Sequence, residues 1–417
     1  MSVDECIAQL KSGHSNVQWA RTFRARLTTE DAKALTVAIL ECNSSSLESL
    51  QLHYSTLVND DTNNNTNDTL RAFIPALTKS GMKELSFQGT SLHGSAEGLA
   101  EILHVCATDS TNTIERLTFS ESEFKEDEFA SKIGPALFQF QGLQALSLST
   151  CFTPNSTSIA CILPFLPSGL MSLDLSNIRV MGSAPAMEWD SLKRMENLEE
   201  LNLSGTSIST GNGFAQALGV VSKTGKFKRL TLPNSMSATD TKVVLAQLDG
   251  KSLEKLIMSD SSVGDHAIPE LVTLLSSCSS NLSYLDFSSC GITTDGAKSL
   301  APMLSPSNLG GLEVLKMGFN LTRDEGAMAI LGECLTNASC LRELELYNMG
   351  LTEMTANNLL EILQAQKARA LEEIYMEATM SDSDNQISRK MLTKIRQAIE
   401  LSRASISEGE YSDGENH

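Results

Sequence analysis

Residues 282–307 read LSYLDFSSCGITTDGAKSLAPMLSPS, and this stretch holds one complete copy of the pattern that decides the fold. Leu282, Leu285 and Phe287 fill the apolar places of an L-x-x-L-x-L motif, whose alternation is typical of a strand with one buried face. The second half opens with threonines and an aspartate, which favour a helix start, and then places apolar residues three or four positions apart. The stretch therefore predicts one strand followed by one helix.

The strand motif returns along almost the whole chain. Successive copies lie 26 to 35 residues apart, which indicates a stacked repeat architecture. Because each repeat buries its apolar face only against its neighbours, we expect one cooperative array rather than separable domains. The twelve copies begin at Leu47, Met82, Ile114, Leu143, Leu170, Leu198, Phe227, Leu253, Leu282, Leu312, Leu341 and Leu371.

The ninth position of each copy is small and polar in ten of the twelve repeats. A short hydroxyl, thiol or amide at this place can satisfy main-chain groups where the chain turns off its strand. We therefore expect these side chains to be structural. The ninth positions are Ser55, Thr90, Ser122, Cys151, Ile178, Thr206, Ser235, Ser261, Cys290, Asn320, Met349 and Thr379.

The motif resembles the leucine-rich repeat consensus L-x-x-L-x-L-x-x-[NC]-x-L over roughly residues 17–380. Repeats of about 29 residues that pair a strand with a full helix resemble the ribonuclease-inhibitor subtype. The resemblance implies an α/β solenoid in the form of a horseshoe, with a parallel β-sheet on the concave face and helices on the convex face. Stacked strands are about 4.8 Å apart and helices about 10 Å wide, so the helical side must fan out.

The repeat pattern also divides the chain. Residues 1–46 are predicted to be an N-terminal cap and degenerate first repeat, residues 47–380 the twelve repeats, residues 381–403 a C-terminal capping helix, and residues 404–417 a disordered acidic tail. An Asn- and Asp-rich insertion at residues 57–70 is interpreted as a tolerated rim loop, with a binding loop as the alternative. Trp189, in an irregular segment at residues 180–190, is expected to be packed.

Charge and cysteine content restrict the partners. The formal net charge is −19, which argues against nucleic-acid and anionic membrane partners and favours a protein with a basic surface. The same charge keeps copies apart, so we expect a monomer. Nine cysteines without a C-x-x-C pair favour a reducing compartment, so we expect a cytoplasmic or nuclear protein. The N-terminus does not resemble a secretory signal, and no apolar stretch is long enough to span a membrane.

Motifs for catalysis, cofactors and metals were sought without success. The segment 211–216, GNGFAQ, resembles a dinucleotide loop only superficially and lies in register with the repeat, so it is interpreted as a repeat loop. The six histidines include no H-x-x-x-H pair, and the sequence has no phosphate-binding G-x-x-x-x-G-K-[ST] loop. We therefore expect no catalytic residues, no cofactor and no metal, and the protein is predicted not to be an enzyme.

The candidate partner site follows from the strand alternation. Residues between the motif's apolar places face away from the core, and in the last repeats they include three of the chain's five tyrosines. Tyrosines on a rigid surface are frequent interaction anchors, although tyrosine also simply favours strands. The predicted partner-binding residues are Tyr284, Asp286, Glu343, Glu345, Tyr347, Glu373 and Tyr375.

The sequence thus favours a non-enzymatic scaffold that binds a protein on the concave face or rim. An alternative is a GTPase activator, because Ran GTPase-activating proteins are similar in repeat subtype, size and acidity. That family carries a long Asp/Glu tail that this chain lacks, and Arg71 is the first arginine we would test. A third interpretation is the ligand-binding half of an immune-type sensor, but no nucleotide-binding or signalling domain is evident.

Overall fold

The structure is a computed structural model that describes residues 1–12, 17–42, 47–58, 66–78, 81–92, 94–109, 113–151, 162–178, 186–206, 212–234, 236–278, 280–335, 339–365, 370–376 and 387–409. These residues divide into two compact units, Met1–Gly213 and Phe214–His417, each of which is considered by itself. Residues 59–65 of the predicted rim insertion lie outside the described residues. Trp189 is 1% exposed, so the prediction that it is packed is confirmed.

The first unit contains a parallel sheet whose strands follow one another in chain order. A separate two-stranded sheet joins β2 and β4. The strands are β1 (Trp19–Phe23), β2 (Arg26–Leu27), β3 (Ser49–His53), β4 (Thr56–Leu57), β5 (Glu84–Ser86), β6 (Arg116–Thr118), β7 (Ala145–Ser147), β8 (Ser172–Asp174) and β9 (Glu200–Asn202), with β1, β3 and β5 to β9 in the main sheet.

The helices of the first unit vary more than the strands do. They are α1 (Val3–Lys11), α2 (Thr29–Glu41), α3 (Asn67–Arg71), α4 (Ile74–Leu77), α5 (Ala96–Thr108), α6 (Glu126–Glu128) and α7 (Gly134–Gln139). After β7 and β8 the described residues form 3₁₀ turns, Leu163–Phe165 and Ala186–Arg194, where the repeat predicts a full helix.

The second unit repeats the strand–helix alternation more regularly. Its parallel strands are β10 (Arg229–Thr231), β11 (Lys255–Ile257), β12 (Tyr284–Asp286), β13 (Val314–Lys316), β14 (Glu343–Glu345) and β15 (Glu373–Tyr375). Helix α8 (Asn212–Ser222) spans the division between the units, and it is followed by α9 (Ala238–Gln247), α10 (Ile268–Cys278), α11 (Thr294–Leu300), α12 (Arg323–Cys334), α13 (Glu353–Gln364) and α14 (Arg389–Gly409). The predicted α/β leucine-rich repeat solenoid with a parallel sheet is confirmed.

The core is made of the motif's apolar residues. The central residue of each short strand is buried while its two neighbours are half-buried or exposed, as in β9 and β12. Leu201 is 1% exposed and pairs with Leu173, its counterpart one repeat earlier. The sheet therefore has one face in the core and one open face, which carries the first and third residue of each strand.

The ninth-position side chains form a ladder between repeats. In six repeats the side chain donates a hydrogen bond to the main-chain carbonyl of the third apolar residue in the preceding repeat. The pairs are Thr90 with Leu52, Ser122 with Phe87 (2.6 Å), Cys151 with Phe119 (2.6 Å), Thr206 with Leu175 (2.8 Å), Cys290 with Met258 (3.1 Å) and Asn320 with Phe287 (2.9 Å). The prediction that these residues satisfy main-chain groups is thus confirmed.

Asn320 makes the largest number of these bonds. Its amide nitrogen donates to the carbonyls of Phe287 and Met317, and its amide oxygen accepts from the main-chain N–H groups of Cys290 and Ile292 at 3.1 and 3.0 Å. The side chain is fully buried. Among the residues found at this position, only asparagine has two N–H donors together with a separate oxygen acceptor.

Replacing Asn320 with alanine is expected to lower the free energy of unfolding by about 1–3 kcal/mol, because buried main-chain groups lose their partners. Urea denaturation of the whole chain measures this change. The control is Asn357→Ala on the exposed side of α13, for which we expect a change within about 0.5 kcal/mol. Equal effects of the two substitutions would contradict the ladder.

A second regularity, not predicted from the sequence, lies one residue before the ladder. In most repeats the eighth motif position has a positive φ, for example +51° at Tyr54, +63° at Gly89 and +60° at Phe319. The left-handed residue turns the chain sharply off the strand. Tyrosine and phenylalanine rarely adopt this conformation, so their presence here shows that packing outweighs local preference.

Both ends of the chain carry helices. Helix α1 starts with a reciprocal capping box between Ser2 and Glu5. The degenerate first repeat pairs as its pattern requires, with Ala20 opposite Leu50 and Thr22 opposite Leu52. Helix α14 begins at Arg389 and ends at Gly409, so it runs beyond the predicted boundary at residue 403 into the predicted tail. No glycine or proline interrupts it before Gly409, which explains the extension.

Candidate partner-binding surface

The parallel register of β12 to β15 fixes where the predicted site residues lie. Tyr284, Val314, Glu343 and Glu373 form one row across the strands, and Asp286, Lys316, Glu345 and Tyr375 form the next. Both rows lie on the open face, because the residue between them in each strand points into the core. Tyr347 follows β14 and starts a third row. The seven predicted residues are together called the C-terminal strip: Tyr284, Asp286, Glu343, Glu345, Tyr347, Glu373 and Tyr375.

Lys316 divides the negative charge of the strip. Its ammonium lies 2.8 Å from a carboxylate oxygen of Glu343 and 3.5 Å from one of Glu345. Burial opposes the charge of Lys316, but its hydrogen bond to Glu343 and the surrounding negative groups outweigh that effect and raise its pKa. The lysine therefore stays charged and neutralises part of the acidic cluster, so the strip is less acidic than its carboxylates alone suggest.

Two lysines also cover Tyr284. The Lys255 ammonium lies 4.4 Å from the ring centroid of Tyr284, and that of Lys316 lies 5.9 Å from it. These are cation–π distances. Burial raises the pKa of the Tyr284 hydroxyl above its ordinary value, with smaller and opposing contributions from nearby charges. Tyr284 is thus already engaged within the chain, unlike a ring left open to a partner.

Tyr347 and Tyr375 form a pair at the other end of the strip. Their ring centroids are 5.9 Å apart and the planes are tilted by 35°. The Tyr375 hydroxyl donates to Glu373, and this bond, together with burial and the charge of Glu373, raises the pKa of Tyr375. A Cβ on Gly318 would lie 3.3 Å from the Tyr347 Cβ, so the glycine leaves room for that side chain.

The structure therefore brings the strip together in two parts. Glu373, Tyr375 and Tyr347 form one part with Glu343 and Glu345 beside them. Tyr284 and Asp286 form the other, two strands away beyond Lys316. A small recess lined by Tyr347, Tyr375 and Arg396 links the tyrosine pair to α14. A second, shallow recess of about 260 Å³ lies beside Glu343 and Glu373, where Arg342 pairs with Glu372 at 2.8 Å.

The predicted partner-binding residues do not include Lys255, Lys316 or Arg396, although the structure places all three on this surface. Lys255 and Lys316 occupy outward strand positions, so the alternation already placed them next to Tyr284 and the glutamates. What the pattern could not give was the pairing itself, because it depends on side-chain reach across neighbouring repeats. Arg396 lies on α14, whose position against the sheet has no signal in the repeat.

Arg71, the arginine proposed for the alternative GTPase-activating function, forms hydrogen bonds within the chain. Arg71 donates from two nitrogens to both carboxylate oxygens of Glu101, at 2.7 and 2.6 Å, and from a third to Asp68 at 2.8 Å. These bonds raise the pKa of Arg71 and occupy its guanidinium.

The segment 211–216, interpreted as a repeat loop, is described only in part. Gly213 lies within α8, which fits a repeat loop that runs into its helix, and Gly211 is outside the described residues.

Within the described ranges no three His, Cys, Asp or Glu side chains come together as metal ligands would. Within the same ranges, no helix combines the length and apolar composition needed to cross a membrane.

Comparisons with known proteins agree with the repeat. No protein-family model matches the chain. Pig ribonuclease inhibitor (Sus scrofa) is 27% identical over 170 residues, which cover 40% of this chain and 37% of that protein. Human NACHT, LRR and PYD domains-containing protein 3 is 29% identical over 253 residues, covering 59% of this chain and 22% of that protein.

The chain has the leucine-rich repeat fold and is similar in sequence to ribonuclease inhibitor. The aligned part spans less than half the length of either relative. A crystal structure of an internalin from Listeria monocytogenes covers 92% of this leucine-rich repeat protein and 95% of its own chain, at 13% identity and a TM-score of 0.47.

Proposed function

We propose that this leucine-rich repeat protein is a non-enzymatic scaffold that binds a protein with a basic surface through the C-terminal strip. The observation that carries the proposal is the tyrosine pair of Tyr347 and Tyr375, which lies on the open face with carboxylates around it. Tyrosine offers a large contact area with few rotatable bonds, and aromatic anchors ringed by polar groups are typical of interface hot spots.

The carboxylates of the strip are already ordered. Glu373 accepts from Tyr375, Glu343 and Glu345 contact Lys316, and Asp286 accepts from the main-chain N–H of Ser288 at 2.9 Å. Side chains that are fixed before binding lose less conformational entropy when a partner arrives. The strip is therefore suited to a partner whose lysines or arginines meet carboxylates at defined places.

The relatives support a binding role. The pig relative is by name an inhibitor of ribonuclease, so it acts on another protein. The net charge of −19 supports a basic partner and disfavours nucleic acid and anionic membranes as partners. We further infer a monomer without a cofactor. No disulfide joins the described cysteines, and all of them except Cys340 are buried, which supports a reducing compartment such as cytoplasm or nucleus.

Comparative capture tests this function. Three full-length baits are compared in an extract of the cells that express the protein: wild type, Tyr347→Ala with Tyr375→Ala, and Glu30→Gln with Lys33→Gln. The last pair removes an exposed salt bridge on α2, which is far from the C-terminal strip in sequence. We expect quantitative mass spectrometry to find a basic protein that the tyrosine variant loses and the α2 variant keeps. An identical set of proteins on all three baits would overturn the proposal.

Salt should act mainly on the rate at which this partner associates. Raising the salt concentration from about 50 to about 500 mM is expected to lower the association rate constant by roughly tenfold and to change the dissociation rate constant much less. Surface plasmon resonance with the captured partner measures both constants. Binding that is equally fast at the two salt concentrations would contradict charge steering by the strip.

A further inference from the structure

A second group of exposed aromatic side chains lies in the first repeats. Trp19 is 39% exposed, Phe23 is 41% exposed and Tyr54 is 38% exposed. Trp19, Arg21 and Phe23 alternate with the buried Ala20 and Thr22 along β1, so they share the open face. Trp19, Arg21, Phe23, Arg24 and Tyr54 are together called the N-terminal aromatic patch. Nothing in the repeat pattern requires large apolar side chains on this solvent side.

The rings of the patch are held in place by the fold. Phe23 and Tyr54 meet edge to face with centroids 5.6 Å apart. The Tyr54 ring lies across Gly89, where a Cβ would come within 2.4 Å of it, and its hydroxyl donates to Glu121 at 3.2 Å. The main-chain N–H of Phe23 donates to the carbonyl of Met1 at 3.0 Å. Such fixed aromatic side chains lose little entropy on binding.

The arginines of the patch lie over these rings at cation–π distances. The guanidinium carbon of Arg21 lies 5.6 Å from the Trp19 ring centroid, and that of Arg24 lies 5.3 Å from the Phe23 ring centroid. Arg21 also donates to the Gln51 side-chain oxygen at 2.5 Å. In the part of the chain that the structure describes, neither arginine forms an ion pair, whereas Arg71, Arg116 and Arg342 each do.

This combination indicates the chemistry of a ligand. A guanidinium that lies over an aromatic ring can still donate two parallel hydrogen bonds from its remaining N–H groups to a carboxylate. Tryptophan, tyrosine and arginine are also the residues most enriched in interface hot spots. Aromatic and arginine side chains also bind single-stranded nucleic acid, but that requires a groove of many positive groups along the phosphate backbone, whereas two arginines suffice to pair with two carboxylates.

We propose that the N-terminal aromatic patch binds an acidic segment of a protein partner, with Arg21 and Arg24 pairing to carboxylates and Trp19, Phe23 and Tyr54 packing against apolar or aromatic residues between them. This partner is opposite in charge to the one that the C-terminal strip would bind. The two surfaces therefore select different ligands, and a substitution in one leaves the other unaffected.

The test uses the full chain and defined probes. Fluorescence anisotropy follows binding of a labelled (Glu-Glu-Tyr)₄ peptide and of its neutral counterpart (Gln-Gln-Tyr)₄. We expect the acidic peptide to bind at least about tenfold more tightly than the neutral one, because charge-assisted bonds carry the interaction. Arg21→Gln with Arg24→Gln should remove about the same factor. Arg116→Gln, an arginine of the same face already paired with Glu84, serves as the matched control and should leave affinity within about twofold.

Several outcomes would overturn the proposal. The first is that the acidic peptide does not bind the wild-type chain at concentrations up to about 1 mM. The second is that it binds the Arg21→Gln/Arg24→Gln variant as tightly as the wild-type chain. The third is that the Tyr347→Ala/Tyr375→Ala variant, and not the double-arginine variant, loses binding. Tighter binding of a labelled (dT)₁₂ oligonucleotide would assign the patch to nucleic acid. Concentration-dependent self-association that the double-arginine variant abolishes would assign it to a second copy.

Trp19 offers an independent measurement that does not depend on the peptide. The other tryptophan, Trp189, is buried, so dissolved ions quench Trp19 selectively. Because Trp19 lies beside the positively charged Arg21, we expect iodide to quench its fluorescence at least several times more effectively than caesium does. The acidic peptide should protect Trp19 from this quenching. The Arg21→Gln/Arg24→Gln variant should show a clearly lower ratio of iodide to caesium quenching than the wild-type chain while keeping its circular dichroism spectrum. Equal quenching by the two ions in the wild-type chain would contradict the positive local field.

Discussion

Replacing Leu201 with alanine is expected to lower the free energy of unfolding by roughly 2–5 kcal/mol, the cost of removing a large side chain from a packed core. Leu201 is 1% exposed in the middle of β9 and pairs with Leu173. The neighbouring repeats hold one another in place, so the cavity cannot collapse without moving them. Urea denaturation followed by circular dichroism measures the change.

The control for this substitution is Glu200→Gln, one residue away on the open face. Its side chain is half-buried and accepts a long hydrogen bond from Ser172 at 3.4 Å. We expect it to change the free energy of unfolding by no more than about 0.5 kcal/mol. A loss below about 1 kcal/mol for Leu201→Ala would mean that this repeat is out of register.

The regular parts of the fold were predictable because they depend on local pattern. Leu285 and Leu344 sit at consensus positions, and their burial follows from alternation alone. The ladder position was equally readable, since Asn320 and Cys290 are small polar residues at a fixed distance from the strand. The 3₁₀ turn at Leu163–Phe165 was not predicted, because the repeat length is nearly constant whether the connecting segment is a full helix or not.

The left-handed turn residue shows where sequence pattern reaches its limit. Gly89 and Gly205 at that place carry a signal, but Tyr54 and Phe319 have no preference for a positive φ. Packing between repeats imposes the conformation on them. The candidate site follows the same rule: the sequence placed Tyr347 and Tyr375 on adjacent strands, whereas the contact of Lys316 with both glutamates depends on side-chain geometry across repeats.

Replacing Tyr347 and Tyr375 together with alanine is expected to weaken binding of the basic partner by roughly a hundredfold, since truncating a hot-spot residue costs about 2 kcal/mol or more and the effects of neighbouring hot-spot residues do not add fully. The loss should appear mainly as faster dissociation, because short-range contacts rather than steering are removed. Surface plasmon resonance measures it after circular dichroism has confirmed folding.

Tyr284→Ala is the matched control, because it removes the same side chain from the same face. Its ring is already covered by Lys255 and Lys316, so we expect affinity to fall by less than about fivefold. An effect of Tyr284→Ala as large as that of the double variant would show that the lysines do not occupy the ring. The partner would then contact the whole strip rather than the tyrosine pair.

The most direct measurement of where the partner binds is site-specific photo-cross-linking. The cross-linking amino acid p-benzoylphenylalanine replaces Tyr347, Tyr375 or Phe138 in turn, and the last serves as control because it is exposed on α7 rather than on the open face. We predict that illumination joins the basic partner to the chain from positions 347 and 375 and not from position 138. Cross-linking from position 138, with none from 347 or 375, would contradict binding through the C-terminal strip.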